Sequence, residues 1–468
     1  MDATHDPAAR SWLAAANAPD ADFPIQNLPF GVCRTEGGTW PMHGAVAIGD
    51  AVLDLAALAA SGLLARAGVV PEGLAPLAQQ AAQSAGGPVL NPLLALGPAA
   101  WGALRQGLFA LLRDDAPADV QAALRPMLSP QAAVEHAVPV AIGDYSDFFT
   151  SLDHCRNTGR LMSIGQPGVD PVMPNFWWMP IAYHGRASSI VVGGTPVRRP
   201  MGQRRVPGMA APEYGPCLRL DYELELGLVV GTGNAQGEPI DVAQADGHLF
   251  GVCLLNDWSA RDIQGWEMAP LGPFLGKSFA TSVSPWIVTM AALEPFRCAW
   301  RRDAGSPEPL GYLDAPVVRR RGGLDIQVAA ELRTAGGAGP LRLSRTSFRH
   351  QYWTPAQMVA HHTVGGCNLN PGDLLGTGTI SGPGDGEAGT MIEVTLGGTQ
   401  PVDVPAAHGP AERRAFLEDG DTLTLTAWCE APGARRIGFG RCAGTILPAS
   451  GQPQGRAAQG TGPGGTET

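Results

Sequence analysis

The chain has 468 residues, 44% hydrophobic and 16% charged, with mean hydropathy near zero, the composition of a soluble protein long enough for two domains. Its net charge of −11 argues against nucleic acid or an anionic membrane as the main partner. Eight cysteines, with no C-x-x-C pair and no zinc-ligand spacing, fit reduced thiols in a cytoplasmic protein rather than a disulfide framework.

Residues 1–22 are polar and Ala-rich, with little to anchor them, and a flexible N-terminus is expected. Met1-Asp2-Ala3-Thr4-His5-Asp6 lacks the basic start and apolar run of a signal peptide. From Phe23 to about Asp54, short apolar runs broken by Gly and Pro (Leu28–Val32, His43–Gly49) predict the strands of a small barrel or sheet. Ala/Leu-rich residues 51–70 and 98–135 read as helices. Asp54, Ser61, Gly62 and Arg66 interrupt the first of these too often for a membrane span. A first domain is therefore expected over 23–138, crossing at Val138-Pro139-Val140-Ala141 into a strand-rich second domain over 139–448. Strands are predicted at Leu218–Gly231, Phe250–Leu255, Leu324–Leu332, Met391–Leu396 and Asp421–Trp428. One helix starts at Thr354-Pro355, an N-cap residue before a first-turn Pro. Residues 449–468, rich in Gly, Pro, Gln and Thr, read as a disordered tail.

The chain has a single lysine, Lys277, among 32 basic residues. An ammonium can approach an oxyanion as a compact point donor, which a guanidinium does poorly; chance survival is the other reading. Near it stand Asp257, Arg261 and Gln264, punctuated by Gly and Pro as an active-site wall would be. In Leu220-Asp221-Tyr222-Glu223-Leu224-Glu225-Leu226-Gly227, strand alternation sends Glu223 and Glu225 to one face. Two adjacent acids beside a buried sheet repel unless a cation lies between them, and all-oxygen ligation suits Mg²⁺, Ca²⁺ or Mn²⁺. Two surface acids on a solvent-facing strand have the same spacing. Asp257 ends an apolar strand, where it is either a third ligand or a turn cap. Asp147 and His154, if helical, share a face two turns apart, one to bind metal and one to act as base on water; alternatively Ser146 is merely an N-cap. Gly376–Gly382 allows close approach of backbone and a threonine hydroxyl to a ligand but lacks the features of a P-loop. Glu393, inside an expected apolar strand, needs a partner. His361 and His362 read as packing residues.

Several longer motifs resemble the fumarylacetoacetate hydrolase family: Phe23–Pro29, Tyr183–Val192, Arg198–Gln203, the Glu-Leu-Glu strand, Asn256–Gln264, Pro270–Phe279, Gly378–Gly382 and Gly438–Gly444. The resemblance runs from about residue 23 to 448. It implies a mostly β fold with some α, made of an N-terminal SH3-like barrel and a C-terminal mixed-β roll, assembled as a homodimer. It also implies hydrolysis of a carbon–carbon bond in a β-diketo acid, giving fumarate and acetoacetate at the end of tyrosine and homogentisate breakdown. Carried over, Asp147, Glu223, Glu225 and Asp257 become ligands of Mg²⁺ or Ca²⁺, with Lys277 and Thr281 near a second cation. His154, oriented by Glu393, becomes the base. Arg261, Gln264 and Lys277 stabilise the oxyanion and the carbanion leaving group; Phe149, Tyr183, Gln264 and Thr379 line the substrate. Three positions depart from the family pattern. Ser163 stands where an Arg is usual, with Arg156 and Arg160 nearby, and Met268 and Phe149 each replace a Tyr. Hydrolysis of another β-diketo acid or acylpyruvate, decarboxylation or hydration through a metal-held enolate, and an inactive metal-binding homologue stay open.

Overall fold

The computed structural model describes residues 1–37, 41–66, 70–71, 73–162, 168–205, 208 and 210–451. Ser163 and most of the expected tail lie outside these residues. Among them, no helix is long and apolar enough to cross a membrane.

The first 140 residues build a five-stranded antiparallel sheet. Phe30–Thr35 lies between His43–Ile48 and Val134–Ala137, and Ala51–Asp54 and Leu128–Pro130 extend it beyond His43–Ile48. This half-barrel stands where the small barrel was expected. Helices Leu55–Ser61, Ala75–Ala85, Pro98–Leu112 and Ala118–Leu124 share its core. The stretch read as helical from residue 51 opens as a strand, because Asp54 accepts the Ala56 and Ala57 N–H groups and so fixes the helix start at Leu55. The second helical stretch ends at Leu124, and the two strands at 128–137 close the sheet instead.

Residues 1–22 are anchored rather than loose. Buried Arg105 donates to Thr4 Oγ1 at 3.1 Å and to the Asn27 carbonyl at 2.6 Å. Gln26 holds the Asp6 and Ala9 carbonyls, and Ser11 donates to the Leu112 carbonyl. These long-range polar ties leave no mark in local composition.

The second domain carries the site on a sheet whose strands run, in spatial order, Ile181–His184, Tyr145–Phe149, Leu374–Gly376, Leu224–Val230, Leu249–Asp257, Thr281–Val283 and Ile190–Val192. Leu224–Val230 and Leu249–Asp257 are buried along their whole length, as central strands covered on both faces must be. A second sheet includes Gln327–Arg333, Thr422–Cys429 and Ile437–Leu447. Thr422–Cys429 alternates buried and half-buried residues, the pattern of a one-face strand. Trp258, Trp353, Phe176 and Phe439 fill the shared core. The expected helix spans Pro355–Thr363, with Thr354 and Gln357 forming a capping box. His361 meets the Tyr312 hydroxyl and His362 the Ser146 hydroxyl, so both are packing residues. The class is mostly β with some α, in two units. They meet where Phe30 and Ile287 exchange backbone hydrogen bonds and the Phe30 and Phe250 rings pack edge to face.

His136 sits in this junction, its ring 5.1 Å from that of Trp286 and its Nδ1 buried without a partner among the described residues. Burial pulls its pKa down to about 4. As pH falls below about 6.5 the unfolded chain takes up this proton first. The stability that neutral His136 contributes is therefore present above about pH 6.5 and lost as pH falls towards 4, a loss on the order of 2 kcal/mol. His136→Phe is expected to flatten the fall in Tm between pH 7 and 4; an unchanged slope would assign that fall to other groups.

Candidate active site

Strand alternation places Tyr145, Asp147 and Phe149 on one face of the Tyr145–Phe149 strand. In the sheet Asp147 stands between Gly376 and Tyr183. The expectation that Asp147 and His154 share a helix is corrected: Asp147 is on this strand, and His154 is on the helix Leu152–Met162 that follows it. Aromatic residues at 145, 148 and 149 suit a pleated, paired strand. Across the sheet, Glu225 pairs with Leu255 and Asp257 ends that neighbouring strand, with Glu223 just before the Leu224–Val230 strand. Gly376 makes the convergence possible, since a Cβ there would lie 2.4 Å from Asp147 Oδ1 and 3.1 Å from Glu225 Oε2.

Asp147, Glu223, Glu225 and Asp257 offer oxygens all within 4.8 Å of one another, and all four residues are buried. Asp147 Oδ1 and Glu225 Oε1 have no hydrogen-bond partner among the described residues. Burial, with Asp257 and Glu223 nearby, pushes Asp147 well above the usual carboxylate range. Burial and Asp147 do the same to Glu225. Burial acts on Glu223 in the same sense, but Lys277 and Arg261 outweigh it and hold this group low. Four buried acids, two of them with orphaned oxygens, and no nitrogen or sulfur donor fit a hard divalent cation.

Lys277 Nζ lies 2.6 Å from Asp257 Oδ2 and 2.8 Å from Glu223 Oε2. Burial opposes its charge, but these two carboxylates prevail and raise its pKa. Thr281 Oγ1 donates to Asp257 Oδ1 at 3.2 Å and the Tyr183 hydroxyl to Asp257 Oδ2 at 2.6 Å. Arg261 donates to Asp221, to Glu223 and, at 3.3 Å, to Gln264 Oε1, while its Nη2 is buried without a partner among the described residues. Thr379 Oγ1 is likewise buried with no partner among the described residues.

His154 Nδ1 lies 2.7 Å from Glu393 Oε2. Burial works against ionisation of Glu393, but His154, Asn157 and Thr390 outweigh it and lower its pKa. Glu393 is on a short helix, Met391–Val394, not in the expected apolar strand. Thr390 caps that helix and Asp221 accepts the Met391 and Ile392 N–H groups. Thr390 and Glu393 are three apart, a capping-box spacing legible in the sequence. Asp221 escapes sequence reasoning altogether. Fully buried, it joins Arg261 to the Glu393 helix, and its only signal is a carboxylate in an apolar run. Ser381, within the Gly376–Gly382 loop, and Asn157, which carries no such signal, also hold Glu393.

Of the three departures from the family pattern, Phe149 packs edge to face on His154, ring centroids 5.2 Å apart, and Met268 is exposed. Arg156 pairs with Asp303, and with the exposed Arg160 it lines a cavity of about 500 Å³ that Glu393 also lines.

The Fumarylacetoacetate (FAA) hydrolase C-terminal profile matches residues 146–447, and the Fumarylacetoacetase N-terminal profile matches residues 26–139. The chain belongs to the fumarylacetoacetate hydrolase family. It is 45% identical to fumarylacetoacetase of Arabidopsis thaliana over 432 residues, covering 92% of this chain and 96% of that protein. With human fumarylacetoacetase the identity is 44% over 437 residues, covering 92% and 98%; with that of Oryza sativa subsp. japonica it is 44% over 436 residues, covering 92% and 96%.

Proposed function

We propose that this chain hydrolyses the carbon–carbon bond of 4-fumarylacetoacetate to fumarate and acetoacetate, the last step of tyrosine and homogentisate breakdown. The observation that carries this reading is the buried His154–Glu393 pair beside the carboxylate quartet, in a chain about 44% identical to fumarylacetoacetases over nearly its whole length.

Asp147, Glu223, Glu225 and Asp257 would hold Mg²⁺ or Ca²⁺, which supplies polarisation of the substrate's keto group. Thr281 and Lys277, both on Asp257, would adjoin a second cation. With Nδ1 fixed by Glu393, His154 turns Nε2 toward a water and takes one of its protons, on the logic of a hydrolytic triad. The water oxygen bonds to the carbonyl carbon, the carbon–carbon bond breaks, and its electron pair leaves on the acetoacetate carbon. His154 returns its proton to that carbon. Arg261 Nη2, the Gln264 amide and the remaining Lys277 N–H meet the charge that develops. Tyr183, Thr379 and Phe149 line the substrate. The His154–Glu393 pair favours hydrolysis over decarboxylation or hydration of an enolate, neither of which needs an activated water to cleave a carbon–carbon bond. A homodimer and a cytoplasmic location belong to the same reading, and exposed Leu271, Phe274 and Leu275 give apolar surface for a second copy to cover.

Phe149 supports one narrower alternative, the same chemistry on another β-diketo acid, because it puts an apolar ring against His154 where a hydroxyl would bind a polar tail. Relative kcat/KM for fumarylacetoacetate and simpler acylpyruvates decides between the two.

Glu225→Gln keeps an oxygen for the Gly378 N–H but removes a charge. It is expected to weaken Mg²⁺ and Ca²⁺ binding by about tenfold or more, read as loss of the cation-induced rise in Tm. An unchanged titration would remove Glu225 from the ligand set.

A further inference from the structure

We infer that the Tyr145 hydroxyl donates a hydrogen bond to a carboxylate oxygen of the substrate, in a cleft of about 190 Å³ beside Asp257 and Lys277. Tyr145 opens the strand that carries Asp147, two residues away and therefore on the same face. Its ring is buried in the core that joins the two domains, with Val229 and Leu374. Gly185 fixes the ring's place: a Cβ there would stand 2.1 Å from Tyr145 Cδ1, and the Gly185 N–H donates to the Tyr145 carbonyl at 2.8 Å. Tyr145 and Gly185 both line the cleft.

The Tyr145 hydroxyl is buried and has no partner among the described residues, whereas its neighbour Tyr183 has Asp257. A phenol buried without a partner loses its hydrogen bond to water, and a phenylalanine would fill the same space without that loss. The hydroxyl gains only when something in the cleft accepts from it. Lys277, with an N–H to spare, and Ser278 stand on the same wall, and Asp257, the one acid lining the cleft, is already occupied by Tyr183, Lys277 and Thr281. A wall rich in donors suits an acceptor-only ligand, and a carboxylate is the acceptor a diketo acid and its products carry. That ligand class rests on the hydrolase reading above; the unpartnered hydroxyl does not.

Tyr145→Phe tests it at constant shape. The Tm is expected to stay level or rise. The kcat/KM should fall roughly ten- to hundredfold, the weight of one hydrogen bond to a charged group. Calorimetric binding of acetoacetate or of fumarate, at saturating Mg²⁺, should weaken by a similar factor, and the product affected tells which end of the substrate meets Tyr145. Unchanged binding of both products overturns the inference whatever the kinetics, as does failure of the unsubstituted protein to bind either. If that protein binds the carboxylates but does not hydrolyse fumarylacetoacetate, the reaction assignment fails and the Tyr145 contact is still read by the binding arm.

Discussion

His154→Ala is expected to abolish turnover, with kcat down by about three orders of magnitude or more, while Mg²⁺ and Ca²⁺ still raise the Tm. General-base assistance is worth about 10²–10⁴-fold, and His154 is the imidazole paired with a buried carboxylate beside the quartet. His361 and His362 are engaged with Tyr312 and Ser146. The cation readout should persist because His154 is not among the four clustered carboxylates. Glu393→Gln is a companion variant. It keeps an acceptor for His154 Nδ1 but loses the charge that would stabilise the imidazolium, so a smaller fall is expected. Turnover surviving in the His154 variant would mean that the water is activated elsewhere.

Lys277→Arg is expected to lose about a hundredfold or more in kcat although its charge is kept. The ammonium bridges Asp257 and Glu223 at 2.6 and 2.8 Å in a buried setting. A guanidinium needs a planar fork of space that two converging carboxylates do not leave, and a misplaced charge-stabilising donor costs about 10²–10³ in rate. Lys277→Met separates fold from chemistry. It leaves two acids without their cation, and breaking a buried pair costs about 3–5 kcal/mol. Its Tm should fall well below that of the Arg variant, and Mg²⁺ should restore part of the difference. Wild-type rates in Lys277→Arg would make the single lysine an accident of composition.

Much of the site around these two residues is legible in the amino-acid sequence alone, and the reason is local. Glu223 and Glu225 sit two apart around a buried strand, so strand periodicity alone aims them together. Asp257 ends an apolar run, and Lys277 is conspicuous in a chain that otherwise uses arginine. The Thr354-Pro355 helix start is equally plain, because cap and first turn are adjacent in sequence. The features that local pattern misplaces depend on distant partners. Asp147 has helical spacing to His154, yet Gly376 and Tyr183 claim it as a strand neighbour. Glu393 resembles part of a strand because Met391, Ile392 and Val394 are apolar, whereas Asp221, 170 residues away, ties down the first N–H groups of a helix. The N-terminal 22 residues have the composition of a loose segment because their anchor, Arg105, lies far along the chain.

The central claim is tested most directly by following the ultraviolet absorbance of fumarylacetoacetate with purified protein and Mg²⁺ or Ca²⁺, and then after EDTA. The account predicts rapid loss of absorbance, fumarate and acetoacetate in equal amounts, and loss of activity on chelation that either cation restores. Absorbance that stays constant with this compound but falls with another β-diketo acid would contradict the named substrate. Constancy with every such acid would contradict hydrolysis itself.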